Sequence, residues 1–352
     1  MDQHKNTTRL KEGECFNLEA LNQYIQAYKP EIGNIEAVSR FTGGYSNLTY
    51  RLESAGKNYV LRMPPPGANI KSAHDMGREF KVLSLLKPVY QKLPNPLLYC
   101  DSAAITGAPF YIMEELAGII LRAGNAPDMN IDPAVFRQIS AALTDNLVDL
   151  HALDINKTGL IQLGKPDGYV VRQVEGWIKR YYAAETDPIV TMNELAAWLQ
   201  KNLPKNQSPT FLHNDYKYDN IILHPDKLTE ILAVLDWEMS TVGDPLMDLG
   251  AMLAYWFEEG EEPVFKYYNL SWLPGNFSRK EIIEHYAMKS GRDLSDILFY
   301  YVFGLFKNAV IAQQIYHRWK QGYSKDARFG TLLPMIQLLG EKAAKALHSH
   351  HI

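Results

Sequence analysis

Apolar residues change their spacing near residue 130, and this change separates a strand-rich part of the chain from a helical part. The first part opens with Leu18, Leu21, Ile25 and Tyr28, which recur at the spacing of one helix face. Asn17 precedes them and has the side chain of a good N-cap residue. The sequence therefore predicts a helix that begins after Asn17.

Shorter runs with a period of two follow this helix. Residues 38–41 form the first run, and the alternation across residues 47–63, interrupted by the turn-rich segment SAGKN, predicts a β-hairpin. A helix is expected over residues 73–86, and further strands over residues 97–101 and in the segment PFYIMEE. The first part should therefore be a small mixed sheet with one main helix.

A strong helix signal opens the second part of the chain. Asp132 is a capping residue, and Pro133 follows at the favoured first helical position. One face of this helix is apolar and carries Phe136, Ile139, Leu143, Leu147 and Leu150. Further helices are predicted at residues 170–183, 189–202 and about 278–348.

Residues 211–236 interrupt the helical pattern with two short strands, NIIL and ILAVLD. No internal repeat is visible. We place the boundary between the two parts after residue 116, so that residues 1–116 form the sheet-bearing lobe and residues 117–352 the helical lobe. The polar loop before NIIL, together with the short strands beside it, then lies within an otherwise helical lobe.

Composition limits the function classes. The 352 residues are 46% hydrophobic and 22% charged, which is typical of a globular protein. A net charge of −4 with both signs interspersed gives no electrostatic footprint for nucleic acid or an anionic membrane, and no run is long enough to span a bilayer. Two cysteines, Cys15 and Cys100, and an N-terminus without a signal-like apolar run predict a cytoplasmic location. No oligomeric state is predicted.

The segment TFLHNDYKYDNIIL, residues 210–223, places polar side chains between two apolar runs. Asp215 and Asn220 lie five positions apart on its loop, and Asp236 ends the strand AVLD. Hard cations such as Mg²⁺ take oxygen ligands, usually one or two carboxylates plus substrate phosphates. Asn220 and Asp236 could hold such a metal while Asp215 stays free to accept a proton, which is the division of labour in phosphoryl transfer.

The stretch HNDYKYDN matches the spacing H-x-D-x-x-x-x-N of the kinase catalytic loop, and LDWE stands where kinases carry D-F-G. Together with the following GDPLMDL, this pattern resembles the aminoglycoside phosphotransferase family, and within it the kinase-like domains associated with acyl-CoA dehydrogenases. The resemblance implies an α+β, bilobal protein-kinase-like fold. A small N-terminal antiparallel β-sheet lobe with one main helix should precede a larger, mostly helical C-terminal lobe.

The family pattern assigns roles to the loop. Asp215 would accept or orient the proton of the substrate hydroxyl, while Asn220 and Asp236 would hold Mg²⁺ against the phosphates of ATP or GTP. Lys217 would touch the transferring phosphate and offset its charge, although a solvent-facing Lys217 is the alternative. No nucleic acid or membrane partner is expected, only a nucleoside triphosphate and a small hydroxylated substrate.

Three further polar residues flank these positions. His213 is interpreted as bracing the loop through hydrogen bonds rather than taking part in the chemistry. Asp248 in GDPLMDL resembles the family's helix aspartate, which accepts backbone N–H bonds from the catalytic loop. Asp219 receives no role.

The first lobe should bind the nucleotide. The segment RFTGGYSNLTYRL places a glycine pair and two polar residues between strands, where backbone N–H groups can approach phosphate: Gly43, Gly44, Ser46 and Asn47. It lacks the G-x-G-x-x-G of protein kinases, and a plain hairpin turn is the alternative. Arg62 stands where kinases place a lysine, with Glu79 as its expected partner. The adenine-binding segment would include Met113, Glu114, Glu115 and Leu116.

Other functions are weighed beside the kinase interpretation. A metal-dependent phosphohydrolase would need more ligands than the single His213 near Asp215 to hold a two-metal centre. A non-catalytic kinase-like nucleotide-binding protein would explain Arg62 and the unusual glycine loop. A protein kinase is disfavoured because GDPLMDL begins seven residues after Asp236, without an APE-like segment.

The acceptor substrate is not identified by these motifs. Aminoglycosides are cationic and would need acids, and the segment WFEEGEEP offers Glu258, Glu259, Glu261 and Glu262. We interpret that cluster as a solvated loop. The similarity to domains associated with acyl-CoA dehydrogenases favours a hydroxylated metabolite, such as a hydroxyacyl thioester.

Overall fold

A computed structural model describes residues 7–9, 16–41, 47–65, 74–204, 208–324 and 326–352. They divide into two compact units. The first unit comprises Met1–Ile119, Ile222–Lys227 and Ile231–Met239. The second comprises Ile120–Ile221, Leu228–Glu230 and Ser240–Ile352. Each unit is built from separate stretches of the chain, so the predicted single boundary after residue 116 does not fully describe the division.

The first unit contains an antiparallel sheet with strand order β1-β2-β3-β4-β6-β5. Its strands are β1 (Thr7–Arg9), β2 (Ala37–Phe41), β3 (Leu48–Ser54), β4 (Lys57–Met63), β5 (Pro96–Cys100) and β6 (Phe110–Glu114). Strands β3 and β4 pair from Leu48 opposite Met63 to Ser54 opposite Lys57, which confirms the predicted hairpin. Ala55 and Gly56 close it with positive φ angles of 48° and 73°, as a tight two-residue turn requires.

Three helices accompany this sheet: α1 (Leu18–Tyr28), α2 (Met76–Leu86) and α3 (Ala103–Thr106). Asn17 Oδ1 accepts the Ala20 N–H at 3.0 Å, so the predicted N-cap is confirmed. Leu21 and Ile25 of α1 pack with apolar residues of the sheet in one buried core. Burial of this helix face contributes most of the local stability.

The second unit is mostly helical. Its helices are α4 (Pro133–His151), α5 (Tyr169–Ala183), α6 (Val190–Lys201), α7 (Pro245–Tyr255), α8 (Arg279–Ser290), α9 (Ile297–Lys320) and α10 (Leu332–Ser349). Asp132 Oδ1 accepts the Ala134 N–H at 2.7 Å, as its predicted capping role requires. The helical signal predicted over about residues 278–348 is divided among α8, α9 and α10, because Gly291 ends α8 at φ 66° and Gly322 follows α9 at φ 79°.

Two short two-stranded sheets complete the fold. Strand β7 (Thr210–Leu212) pairs antiparallel with β10 (Thr241–Gly243), and β8 (Ile221–His224) pairs with β9 (Lys227–Val234). The last pair contains the predicted strands NIIL and ILAVLD. The loop between β7 and β8 is therefore anchored by a strand at each end. No helix in the described ranges combines the length and hydropathy of a membrane span.

The segment after β6 contacts the β8–β9 hairpin within the first unit. Ile119 N donates to Leu223 O at 2.9 Å, and Leu223 N donates to Ile119 O at 2.8 Å. A Cβ on Gly118 would lie 2.3 Å from the Ile222 side chain, so only glycine fits this close approach. These contacts explain why residues 222–227 belong to the first unit.

Candidate active site

The loop after β7 brings Asp215 and Asn220 together. Lys217 Nζ donates to Asp215 Oδ1 at 2.8 Å and to Oδ2 at 2.9 Å. Asn220 Nδ2 donates to Asp215 Oδ2 at 2.9 Å and to the main-chain oxygen of Asp215 at 2.8 Å. A 3₁₀ turn, Tyr218–Asn220, brings the chain back so that residues five positions apart meet. The Asp215 side chain remains 19% exposed and is therefore accessible to a substrate.

The orientation of the Asn220 amide bears on metal binding. Both side-chain hydrogen bonds of Asn220 use Nδ2, so its Oδ1 accepts no hydrogen bond from the described part of the chain. An amide oxygen presented beside a carboxylate is a ligand type that Mg²⁺ accepts, so the donor chemistry fits this ion. Within the described ranges, no group of three or more His, Cys, Asp or Glu side chains is arranged to hold a metal.

Asp248 fixes the start of the loop from α7. Its carboxylate accepts the His213 N–H at 2.6 Å and the Asn214 N–H at 2.7 Å, which confirms the predicted supporting role. His151 Nε2 lies 3.2 Å from the same carboxylate. Burial alone would raise the pKa of Asp248, but the hydrogen bonds and charge of His151 and His213 hold it below its ordinary value. Asp248 therefore stays ionised and supports the loop.

His213 and Lys307 hold the loop from two further directions. The His213 ring accepts the Asp215 N–H at its Nδ1 atom at 3.2 Å, in keeping with a bracing role. Lys307 Nζ donates to the Asn214 carbonyl oxygen at 3.0 Å. Tyr169 Oη donates to Asn214 Oδ1 at 3.3 Å, and Asn214 itself has a positive φ of 66°. Asparagine tolerates this backbone region better than most residues, and its neighbours stabilise it there.

Lys217 is held against the loop rather than extended into solvent. Its side chain is 20% exposed, and Nζ lies 4.6 Å from the centre of the Tyr255 ring. Burial would lower the pKa of Lys217, but the Asp215 carboxylate outweighs burial and raises it above its ordinary value. Lys217 thus carries a permanent positive charge beside Asp215. Asp219 lies 4.0 Å from Arg122, and burial raises the pKa of Asp219.

Arg62, Glu79 and Asp236 form a cluster in the first unit, here called the Arg62 cluster. Arg62 Nη1 donates to Glu79 Oε1 at 2.7 Å, which confirms the predicted pair. Arg62 Nη2 donates to Asp236 Oδ1 at 3.0 Å. Burial raises the pKa of Glu79, although Arg62 opposes the shift. The buried Arg62 Nε has no hydrogen-bond acceptor in the described structure, so one guanidinium donor stays available.

Asn47 contacts the residue two positions after Asp236. Asn47 Nδ2 donates to Glu238 Oε2 at 2.9 Å, and Arg78 Nη1 donates to the Glu238 carbonyl oxygen at 3.1 Å. The sequence did not predict this role of Glu238, and its position in LDWE is the only signal that points to it. The predicted phosphate-binding residues Gly43, Gly44 and Ser46 lie outside the described residues.

The predicted adenine-binding segment directs its carboxylates into the protein. Arg51 Nε donates to Glu115 Oε2 at 2.8 Å, and its Nη2 contacts the other carboxylate oxygen. Glu114 Oε1 accepts the Asn95 N–H at 2.8 Å. The Glu114 and Glu115 N–H groups also donate to carbonyl oxygens, whereas the Leu116 N–H has no acceptor in the described structure. Met113 is buried in β6. The segment therefore presents backbone hydrogen-bonding groups, rather than charged side chains, to a ligand.

Basic side chains of the protein form ion pairs with two of the four acids in WFEEGEEP. Arg279 contacts Glu258 at 3.3 Å and Glu261 at 2.6 Å, and Lys342 Nζ lies 2.5 Å from Glu261. Interpreting the whole cluster as a solvated loop is therefore wrong for these two acids. Glu259 and Glu262 are exposed, as that interpretation requires.

Residues 37–282, which include the candidate catalytic loop (residues 213–220) and the Arg62 cluster, match the profile of the phosphotransferase enzyme family. The chain belongs to this family. Rat acyl-CoA dehydrogenase family member 11 is 36% identical over 330 residues, a match that spans 92% of this chain and 42% of the rat protein. The phosphotransferase chain thus spans about two fifths of the length of that relative.

Solved structures show the same kinase-like fold. A Ralstonia eutropha JMP134 protein named as a candidate aminoglycoside phosphotransferase is 28% identical, with a TM-score of 0.77 over 94% of this chain and 99% of that one. An APH(2")-type enzyme in complex with GDP and kanamycin has 15% identity and a TM-score of 0.62, over 92% of this chain and 98% of its own. The fold of this phosphotransferase is therefore α+β and kinase-like.

Lys307 is one of the loop contacts that the sequence analysis did not predict. It lies in α9, outside the matched residues 37–282. A possible signal was a lysine inside the apolar run YVFGLFKNAVIA, since a charged residue is rarely buried without a specific partner.

Proposed function

We propose that this phosphotransferase moves the γ-phosphoryl group of ATP or GTP to a hydroxyl group of a small metabolite. The observation that supports this most strongly is the Asp215–Asn220 pair. One loop presents an accessible carboxylate and, beside it, an amide whose oxygen is turned away from the hydrogen bonds of the loop. A proton acceptor and a metal ligand side by side suit transfer from a metal-held nucleotide.

In the proposed reaction the acceptor oxygen forms a bond to the γ-phosphorus. The bond from that phosphorus to the β,γ-bridging oxygen breaks, and the nucleoside diphosphate leaves with those electrons. The hydroxyl proton passes to the Asp215 carboxylate. Lys217 now contacts both carboxylate oxygens, so we expect its ammonium to shift toward the transferring phosphoryl group when the substrate hydroxyl approaches.

Asn220 and Asp236 are the proposed protein ligands of Mg²⁺. When bound, the ion would neutralise charge on the nucleotide phosphates and help to orient them. Asp236 already contacts Arg62, whose unused Nε donor suits a phosphate oxygen. Glu79 holds Arg62 from the other side and keeps its guanidinium oriented.

The remaining nucleotide contacts are proposed from the first unit. Gly43, Gly44, Ser46 and Asn47 would contact the phosphates. Met113, Glu114, Glu115 and Leu116 would contact the base, and the Leu116 N–H is the donor that supports this assignment. A backbone donor and acceptor can serve adenine or guanine, so both triphosphates remain candidate donors.

The proposed acceptor is a hydroxyacyl compound rather than an aminoglycoside. Arg279 and Lys342 contact two of the four acids in WFEEGEEP, which leaves less charge for a polycationic drug. The rat relative carries the name of an acyl-CoA dehydrogenase, which supports an acyl substrate. The low cysteine content supports a cytoplasmic location.

Two measurements on the full chain test this proposal. Calorimetry should detect binding of Mg·ATP or Mg·GTP, and a library of hydroxyl compounds should contain one that stimulates nucleoside diphosphate release. If neither triphosphate binds at millimolar concentration with excess Mg²⁺, the proposal is wrong. Binding without stimulation by any hydroxyl compound would favour the alternative, a non-catalytic kinase-like nucleotide-binding protein.

A further inference from the structure

Lys307 carries more hydrogen-bonding capacity than the protein uses. Its side chain lies in α9 with 6% of its surface exposed, and its only hydrogen bond in the described structure is to the Asn214 carbonyl oxygen. An ammonium group has three N–H donors, and a buried charge is costly unless it is paired. No carboxylate in the described ranges lies within ion-pair distance of Lys307. Two donors of a buried cation therefore lack acceptors next to the catalytic loop.

A second cation lies against the same aromatic ring. Lys307 Nζ is 5.8 Å from the centre of the Trp177 ring, and Arg180 Cζ is 4.8 Å from that centre. The two charges are therefore within about 11 Å of each other. Arg180 also forms no ion pair in the described part of the chain. Like charges repel each other, so an anion bound beside both groups would reduce this repulsion.

The helix that carries Arg180 leaves room for its guanidinium. A Cβ on Gly176, one turn earlier in α5, would lie 3.3 Å from Arg180 Nη1. The guanidinium therefore lies back along the helix and over Trp177, while the residue remains exposed to solvent. Burial lowers the pKa of Lys307, and the charges of Lys217 and Arg180 add to this shift, whereas Asp215 and Asp248 oppose it. A bound anion would oppose this downward shift of the Lys307 pKa and favour the ammonium form.

We propose that Lys307 and Arg180 form an acceptor subsite that binds the anionic end of a hydroxylated acyl substrate. The inference rests on the proposed function and names its substrate class: a hydroxy acid, or a thioester whose carrier bears phosphate groups. Lys307 contacts Asn214, the residue before Asp215, so the anionic group and the reacting hydroxyl should be separated by a short carbon chain. Trp177 supplies an apolar surface for that chain.

A purely structural role for Lys307 makes a different prediction. If Lys307 only holds the Asn214 carbonyl, a glutamine can replace it, because its amide also donates one hydrogen bond. If Lys307 binds an anion, glutamine preserves the loop but removes the charge. The Lys307→Gln variant therefore separates the two roles, and an unchanged melting temperature shows that the loop is preserved.

The test measures binding of four defined probes to the full chain by calorimetry: 3-hydroxybutanoate, 4-hydroxybutanoate, 3-hydroxybutyryl-coenzyme A and the neutral 1,3-butanediol. Each is titrated with and without Mg²⁺ and a non-hydrolysable ATP analogue. We expect at least one anionic probe to bind the parent about tenfold or more tightly than the diol. A free acid that binds identifies the carboxylate as the anchor, whereas binding of the thioester alone identifies the carrier phosphates.

Lys307→Gln should weaken binding of that anionic probe by about tenfold, and Arg180→Met by a smaller factor because Arg180 is exposed. Lys320→Gln in α9 and Lys179→Met in α5 are the matched controls and should bind like the parent. Equal affinity of the parent for anions and diol, or unchanged anion binding in both Lys307→Gln and Arg180→Met, overturns the subsite. Titrations without nucleotide test whether the subsite binds anions even if the nucleotide analogue fails to bind. Failure of the nucleotide analogue to bind would contradict the proposed function and not the subsite.

Discussion

The candidate catalytic loop and the Arg62 cluster have side chains suited to related chemistry, but the two regions are built in different ways. Asp215, Lys217 and Asn220 contact one another within six consecutive residues. The Arg62 cluster joins residues that are 17 and 174 positions apart, taken from β4, α2 and the segment after β9. Loop geometry is thus encoded locally, whereas the cluster depends on the folding of the whole first unit.

This difference predicts which measurements each region controls. The loop presents a carboxylate that can accept a proton, so substitutions there should change the rate of transfer. The Arg62 cluster presents a guanidinium and a carboxylate suited to phosphate and metal, so substitutions there should change nucleotide affinity. The comparison fails if both regions affect the same quantity to the same degree.

Replacing Asp215 with Asn should produce the largest effect. The change keeps the shape and a hydrogen-bond acceptor but removes the carboxylate that is proposed to accept the proton. We expect turnover to fall on the order of 10²-fold or more with nearly unchanged nucleotide affinity, measured by steady-state kinetics and calorimetry on one preparation.

Asp219→Asn is the matched control, because Asp219 lies on the same loop and has no proposed role. Its turnover should stay close to that of the parent. If Asp215→Asn retains turnover within about threefold of the parent, Asp215 is not the catalytic base.

Substitutions of Asp236 and Asp248 test further whether the two regions control different properties. Asp236→Asn should remove most Mg²⁺-dependent nucleotide binding while changing the melting temperature little, since Asn tolerates the positive φ of 66° at this position. Asp248→Asn should instead reduce the free energy of unfolding by about 3 kcal/mol, because it removes a buried charge that accepts backbone N–H groups. Calorimetry with the nucleotide and thermal unfolding give the two quantities.

Equal losses of melting temperature in both variants, with nucleotide affinity retained, would contradict these assignments. Asp132→Asn provides a control for Asp248→Asn. It changes an exposed helix cap whose side chain accepts a backbone N–H, and Asn caps a helix about as well as Asp.

The same contrast explains what the sequence could predict. The hairpin over residues 47–63, the caps at Asn17 and Asp132 and the polar loop are local features with recognisable spacing. Pairing of the three-residue strands β7 and β10 was not predictable, because such short runs carry no periodic signal. The Asn47–Glu238 contact joins residues 191 positions apart and likewise leaves no local pattern.

Within the candidate site, the residues that the sequence analysis identified are those that lie close together in one motif. Asp215 and Asn220 fall in one eight-residue stretch and were identified from it. Lys307 lies in an apolar helix whose pattern indicates burial but not a partner, so its contact with Asn214 needed the three-dimensional structure. The helical signal over about residues 278–348 did not reveal its breaks for a related reason: helical periodicity continues on both sides of Gly291, and the positive φ of this residue marks the end of α8.

Arg62→Lys should produce a moderate effect on nucleotide affinity. Arg62 contacts Glu79 and Asp236 through different nitrogens, and a lysine ammonium cannot reproduce this fork geometry. We expect the Kd for Mg·ATP or Mg·GTP to rise by about tenfold, with turnover at saturating nucleotide reduced less. Arg51→Lys is a useful comparison, because the Arg51 guanidinium pairs with Glu115 and lies 5.8 Å from the centre of the Phe41 ring. It should affect binding of the base rather than of the metal. Nucleotide binding that depends on Mg²⁺ to the same degree in both variants would contradict the assigned role of Arg62.

The smallest expected effect is a difference in acid stability between two carboxylates of the second unit. The folded-state pKa of Asp248 lies below its ordinary value of 3.8, so its stabilising contribution is present above that pH and is lost as pH falls through the folded-state pKa. The pKa of Asp219 is raised by burial, so its destabilising contribution at neutral pH is relieved as pH falls through that raised value. As pH falls from 7, melting temperatures should therefore first show the parent gaining relative to Asp219→Asn, and then, below about pH 4, losing its advantage over Asp248→Asn. Curves that converge in the same direction for both variants would mean that Asp248 does not stabilise the loop as a charged acceptor.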